Sequence, residues 1–397
     1  MLVGVVGKPS VGKSTFFKAL TLAEVAIAPY PFTTIEPNKG FAFVKVQCVD
    51  KEFGVQCNPR FGYCTNHVRF VPVEVVDVAG LVPGAHEGKG MGNKFLDDLR
   101  QADALIHIVD IAGATNEKGE IIQPGTYDPA FDVKFLEYEL DMWYVSILKK
   151  GWEKLARQMH QEHQDPSKVL GKQLSGLHVT EIMVHDALKE LHLEEKSPLN
   201  WTEEDLKNLS GNLRKKTKPM MIVANKIDLP SGKENFERIK KMFPDYKIMH
   251  CSAESELALR EAAKKELIDY VPGSKTIAVK GTLSPQQKKA IDYIQKNILD
   301  IHGSTGVQDA IDAVVFQLLK QIAIFPGGVN KLSDQHGNVL PDCFLLPEGS
   351  TALDFAYKLH TDLGQHFIRA IDVKTKRTVG REHVLKHRDV VEIVSAK

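Results

Sequence analysis

The stretch GKPSVGKS, Gly7 to Ser14, constrains this chain more than any other eight residues. It fits G-x-x-x-x-G-K-[ST]. It follows an apolar run, Leu2–Val6, and precedes a helical pattern, TFFKALT. A strand, a glycine-framed loop and a helix N-terminus in that order form a cradle for phosphate. Gly7 and Gly12 let the backbone turn and approach closely. The loop from Gly7 through Lys8, Pro9, Ser10, Val11 and Gly12 to Thr15 would line the phosphates. Lys13 would reach the terminal ones, and the Ser14 hydroxyl would ligate Mg²⁺.

Which nucleotide is held depends on residues far downstream. VEVVDVAG places Asp77 and Gly80 at the end of a second apolar run. Asp77 would support Mg²⁺ and the Gly80 N–H would meet the γ-phosphate. After another apolar run, ANKID supplies Asn225, Lys226 and Asp228. A carboxylate at 228 can accept from guanine N1–H and N2–H₂, whereas adenine presents the wrong pattern and leaves it unpaired. Lys226 would lay its stem over the base, and Asn225 would tie this loop to the phosphate loop. CSAES contributes Ser252 and Ala253, whose N–H would meet guanine O6. Four elements in this order predict a Mg²⁺-dependent enzyme that hydrolyses GTP to GDP and phosphate.

Two segments would respond to the γ-phosphate. YPFTTIEPN, residues 30–38, offers Thr33 and Thr34 to complete the Mg²⁺ shell, with Thr34 preferred; a plain strand entry is the other reading. LVPGAHEGKGMGN follows Gly80 and carries glycines suited to a reordering loop. In Ras-like enzymes a glutamine directly after D-x-x-G orients the attacking water. Here that position is Leu81, which can neither donate nor accept, so a slow intrinsic rate and a partner that completes the site are expected. His86 lies in the same segment and is the candidate to reach the water; a solvent-facing histidine is the simpler reading.

The chain has 397 residues, enough for two or three domains. Its formal net charge is zero, so contact with a polyanion must come from a local patch, and no DNA specificity is expected. No apolar run could span a bilayer, and the phosphate loop begins too early to leave room for a signal peptide. A cytoplasmic, monomeric protein with reduced thiols is expected, with no membrane partner. Cys48, Cys57 and Cys64 cluster near His67. Those are the ligand types of a Cys₃His zinc site, but the spacing matches none of the common two-residue ligand pairs, and a loop of free thiols is the competing reading.

Apolar runs at Leu2–Val6, Val68–Val76, Ala104–Val109, Met220–Ala224 and Lys247–His250 alternate with helical patterns. That predicts an α/β P-loop domain, doubly wound on a mainly parallel sheet. The gap between Ala104–Val109 and Met220–Ala224 far exceeds one crossover helix. Leu136, Leu140, Trp143 and Ile147, then Leu148, Trp152, Leu155 and Met159, step by helical spacing and predict an inserted antiparallel helical hairpin, coiled-coil-like. Short strands around one helix close the chain. The expected partition is a GTPase domain over 1–113 and 218–322, a helical insertion over 114–217 and a small domain over 323–397 that is mildly basic over 349–397.

The phosphate loop, YPFTTIEPN and DVAGLVPGAHEGKGMGNKFLDDLRQADALIHIVD together resemble the YchF/Obg-like ATPase family of the Obg GTPase superfamily. LPEGSTALDFAYKLHTD and RAIDVKTKRTVGREHVLKHRDVVEIV resemble a TGS domain, the β-grasp module shared with threonyl-tRNA synthetases and alarmone synthetases. The resemblance implies a translation-associated switch that contacts ribosomes or RNA through the TGS domain and the helical insertion. Many members carry a degraded base-recognition motif and favour ATP. The intact NKID here points to GTP and, with the cysteine loop, to archaeal-type members. Many relatives have asparagine where this chain has Ser10, so the residue that supports potassium in some related GTPases is missing. An ATP-preferring hydrolase, and a nucleotide-gated scaffold in stress signalling with incidental hydrolysis, are the alternatives.

Overall fold

The computed structural model describes residues 1–22, 38–78 and 98–396. The chain forms two compact units, residues 1–19 with 75–307 and residues 20–74 with 308–397. That division departs from the sequence partition: the segment between the first helix and Glu74 joins the C-terminal residues.

The first unit is built on parallel strands β1 (Leu2–Val6), β5 (Ala104–Asp110), β6 (Met220–Asn225) and β7 (Lys247–His250). Strand β4 (Val68–Asp77) brings its last residues to the edge beside β1, so the order here is β4-β1-β5-β6-β7. Val3 sits opposite Ala104, Val109 opposite Ala224 and Ile222 opposite Ile248. Every residue of β5 and β6 is buried, as expected of parallel strands covered on both faces. Because these four strands run the same way, the segments after Val6, Asp110, Asn225 and His250 all emerge at one sheet edge.

Helix α1 (Lys13–Thr21) follows the phosphate loop. The long insertion folds as α2 (Ala130–Lys149), α3 (Trp152–Gln161), α4 (Pro166–Gln173), α5 (Glu181–Glu190) and α6 (Glu203–Thr217). Lys149, at the end of α2, pairs with Glu203, at the start of α6, while Arg214 near the end of α6 pairs with Asp141 in mid-α2. The first and last helices are therefore antiparallel, and three shorter ones fill the space between them in the chain. Leu136, Leu140, Trp143 and Leu148 pack with Leu170, Val184, Leu206, Leu209 and Leu213 in one core. A hairpin reading misses this because the helical stepping alone does not record the caps that divide the segment: Asp165 accepts from the Ser167 N–H, Thr180 from Met183, and Thr202 forms a capping box with Asp205. Helices α7 (Gly232–Met242), α8 (Ala253–Lys264) and α9 (Pro285–Ile294) also belong to the unit, with a short ribbon of β8 (Ile268–Asp269) and β9 (Ala278–Val279).

Strand β2 (Lys39–Gln47) neighbours β4 in the sheet, and β3 (Tyr63–Thr65) runs antiparallel to the first residues of β4. A five-stranded sheet has the order β11 (Phe344–Pro347), β10 (Gln321–Pro326), β14 (Val390–Ser395), β12 (Phe367–Asp372), β13 (Arg377–Val379). Strand β10 pairs parallel with β14 and antiparallel with β11. Helix α10 (Ala352–Leu359) buries Phe355 and Ala356 against Ile324, Ala370 and Val391. Among the described residues no helix is long and apolar enough to cross a membrane.

Candidate nucleotide site

The loop from Gly7 to Gly12 is pinned on two sides. A Cβ at Gly7 would stand 2.7 Å from the Ile108 carbonyl oxygen, because β1 and β5 run close together there. Gly12 has φ +92°, and a Cβ would stand 2.3 Å from Asn225 Nδ2. That contact is not idle. Asn225 Nδ2 donates to the Val11 carbonyl at 2.8 Å, and Asn225 Oδ1 accepts the Ala253 N–H at 3.0 Å. One buried side chain at the end of β6 thus ties the phosphate loop to the start of α8. Ser252 beside it donates its hydroxyl to Ser255 at 2.9 Å and its N–H to Thr305.

At the helix end of the loop, Lys13 Nζ is ion-paired with Asp77 Oδ1, and Ser14 Oγ donates to Asp77 Oδ2 at 3.3 Å. An ammonium, a hydroxyl and a carboxylate meet at the N-terminus of α1. A hydroxyl and a carboxylate are donors suited to a hard divalent cation, so Ser14 and Asp77 fit Mg²⁺. Thr34, Gly80, Leu81 and His86 lie outside the described residues.

Lys226 takes the left-handed conformation, φ 63°, at the turn after β6. Its ammonium bonds the Ser10 carbonyl at 3.0 Å and Asp110 Oδ2 at 2.9 Å. Asp110 also accepts from Thr115 Oγ1 at 3.0 Å and is fully buried. Asp228 lines an open cavity of about 620 Å³, with Ser231, Lys233, Asn297 and His302 on its walls. Burial, with His250 and Lys233 nearby, lowers the His302 pKa.

The structure brings in Thr115, Tyr127 and Asp132, which the motif reading left out, and turns the side chain of Lys8, expected to line the phosphates, toward them instead. The Lys8 side chain turns inward, 2.8 Å from Asp132 and 3.0 Å from the Thr115 carbonyl, with its ammonium 3.8 Å from the Tyr127 ring centroid. Tyr127 donates to Asp132 at 2.9 Å. Burial raises the Asp132 pKa against the pull of Lys8, and burial together with the Lys8 charge pushes His107 down to about 3, so His107 stays neutral. Gly119 packs on the other face of the loop, where a Cβ would stand 2.7 Å from Pro9 Cβ. Residues 110–132 therefore brace the phosphate loop from outside. Asp110 carried a readable signal, a charge at the carboxyl end of a buried strand, as Asp77 does. The inward turn of the Lys8 side chain carried none, because position 8 is an unspecified one of the motif.

Three family models match the chain: a 50S ribosome-binding GTPase model over residues 2–132, the G4 motif-containing domain of YGR210-like Obg-like GTPases over 223–328, and the TGS domain over 335–395. An uncharacterized GTP-binding protein of Methanocaldococcus jannaschii is 52% identical over 396 residues, covering 100% of this chain and 99% of the relative. The ribosome-binding ATPase YchF of Bacillus subtilis is 31% identical over 279 residues, covering 67% and 70%. The crystal structure of a GTP binding protein from Pyrococcus horikoshii matches over 100% of both chains with TM-score 0.79 and 39% identity. The structure of the Schizosaccharomyces pombe YchF GTPase, 19% identical, matches with TM-score 0.59 over 99% and 97% and shares the fold.

Proposed function

Because this chain belongs to the YchF family of Obg-like GTPases, we propose that it hydrolyses GTP to GDP and phosphate with Mg²⁺, slowly on its own, as a switch that associates with ribosomes or RNA. What supports guanine preference is the Asp228 carboxylate in a loop that Asn225 ties to the phosphate loop by bonding both Val11 and Ala253. Asp228 would accept guanine N1–H and N2–H₂; the Ala253 N–H expected to meet O6 is donated to Asn225 Oδ1 and would have to leave it to do so.

On binding, the Lys13 ammonium leaves Asp77 for the terminal phosphates. Lys13 and the loop N–H groups then stabilise charge spreading onto the transferring phosphoryl oxygens. Ser14 and Asp77, with Thr34, would hold Mg²⁺, which would supply positive charge to the phosphates. Gly80 would donate to the γ-phosphate and His86 would reach the attacking water. With Leu81 where a water-orienting glutamine stands in Ras-like enzymes, the position directly after Gly80 gives that water no hydrogen bond, which supports a slow basal rate.

Ribosome association rests on the B. subtilis relative's name and on the TGS match. The helical insertion offers a second contact: Trp152, Lys154, Arg157 and Gln161 line an open groove beside Trp201. The ATPase name of that relative keeps ATP preference as the second reading. A hydrolysis assay comparing GTP with ATP, with and without purified ribosomes, tests the proposal. GTP turnover that rises with ribosomes supports it. Tighter binding of ATP than GTP by calorimetry, or absence from sedimented ribosomes whatever the nucleotide, overturns it.

A further inference from the structure

The second unit holds a cluster that has no part in nucleotide chemistry. Cys48 closes β2 and opens a tight 3₁₀ turn, Val49–Phe53, which ends at Gly54 with φ 64°. Cys57 follows that turn, and Cys64 lies in β3. The turn folds back because Cys48 N–H donates to the His67 carbonyl at 2.8 Å and Cys57 N–H to Asp50 Oδ2 at 3.2 Å. As a result Cys48, Asp50, Cys57 and Cys64 point one ligand atom each into a common space, all within 4.8 Å of one another. Cys48 and Asp50 are fully buried and Cys57 is 5% exposed.

We propose that Cys48, Cys57, Cys64 and Asp50 bind one structural zinc ion. The Cys48 and Cys57 sulfurs are 3.6 Å apart. Two thiolates on one tetrahedral zinc, at ~2.3 Å each, stand about 3.8 Å apart, whereas a disulfide requires about 2.05 Å. The fourth ligand is not the histidine suggested by residue type. His67 Nδ1 bonds Asp50 Oδ1 at 2.9 Å, while Oδ2 stands 3.9 Å from Cys64 Sγ. The carboxylate thus turns one oxygen to the sulfurs and is oriented through the other by His67, the outer-shell arrangement typical of metal ligands. Three soft sulfurs select zinc over the hard cation of the nucleotide site. Four protein ligands leave no open position, so the ion clips the turn after β2 to the β3–β4 hairpin and takes no part in a reaction.

The test is metal content of the full chain purified under reducing conditions without chelator, followed by cobalt(II) reconstitution. About one zinc per chain is expected, and cobalt(II) should give a thiolate charge-transfer band with intense tetrahedral visible bands. Cys57→Ser and Cys64→Ser should each lose the ion or bind it at least ~100-fold more weakly. His67→Gln, which removes only the support, should weaken it roughly tenfold. Cys343→Ser, outside the ligand set, should keep it. If the serine variants fail to fold, the wild-type cobalt spectrum still decides. Zinc-free protein that takes up no cobalt, a Cys48–Cys57 disulfide in the intact mass, loss of metal in Cys343→Ser, or unchanged cobalt bands in the ligand variants would each overturn the assignment.

Discussion

Gly12 and Asn225 divide one small volume between them. Alanine at 12 would have to hold φ +92° and share space with Asn225 Nδ2 at 2.3 Å, so the amide must swing away from Val11 and Ala253. Gly12→Ala is expected to weaken guanine nucleotide binding at least ~10-fold, through strain at this φ together with loss of the Asn225 tie. A double-mutant cycle by calorimetry checks the route: in an Asn225→Ala background the same substitution should cost clearly less, because the tie is already gone. Asp228 makes a different prediction. Asn at 228 replaces an acceptor pair with a donor and an acceptor. GTP affinity of Asp228→Asn should fall by roughly 10²–10⁴, with xanthosine triphosphate recovering most of it, since the mismatch lies in buried polar pairing. An unchanged GTP-to-XTP ratio would remove Asp228 from the base site.

The helical insertion keeps a charge inside it. Arg214 of α6 is 1% exposed, donates to Asp141 Oδ1 at 2.8 Å and to Tyr246 at 3.4 Å, and faces Glu137 at 3.9 Å. The side chains of Asp141 and Glu137 are 34% and 25% exposed, so both can rehydrate when the guanidinium is removed. Arg214→Ala should therefore cost about 2 kcal/mol, below the 3–5 typical of a fully buried pair, as read by urea denaturation. None of this was legible beforehand, because a charged residue late in a helix reads as a solvated, dipole-favoured cation. The strands were legible for the opposite reason. Parallel strands buried on both faces write continuous apolar runs, and Leu2–Val6, Ala104–Val109 and Met220–Ala224 match β1, β5 and β6 to within a residue at their ends. Strand β2, KGFAFVKVQ, buries Ala42, Phe43, Val44 and Val46 but mixes glycine and lysine into the pattern, so it writes no continuous apolar run. At the site, Lys13, Ser14, Asp77 and Asn225 were legible because the phosphate chemistry fixes their types and spacing. Lys8, Tyr127 and Asp132 were not, since their grouping depends on how the segment after β5 folds back over the loop.

At the scale of the whole chain, the two compact units carry different chemistry and should answer to different ligands. The phosphate loop, Asp77, Asn225 and Asp228 all belong to the first unit, whereas the cysteine cluster and the TGS sheet belong to the second. GTP with Mg²⁺ at 100 times its Kd should stabilise the first unit by ~2.7 kcal/mol, slowing exchange of β1, β5 and β6 amides that open with that unit about 100-fold. The second unit has its own handle. Burial lifts the Asp312 carboxyl to about 7, against the Lys45 N–H that donates to it at 2.8 Å, the Lys45 ammonium, and Gln308; Asp309 adds to the rise. A raised folded pKa means the folded unit holds a proton that the unfolded chain gives up near 4. The stabilisation is complete below pH ~4 and lost as pH climbs through ~7, a few kcal/mol at most because the carboxyl edge reaches solvent. Asp312→Asn removes that proton exchange. Exchange rates of β10 and β14 amides, corrected for intrinsic pH dependence, should therefore rise more steeply between pH 4 and 7 in the wild type than in Asp312→Asn. The same comparison in β5 and β6 should give no difference. Equal slopes in β10 would mean that Asp312 titrates as an ordinary surface carboxylate.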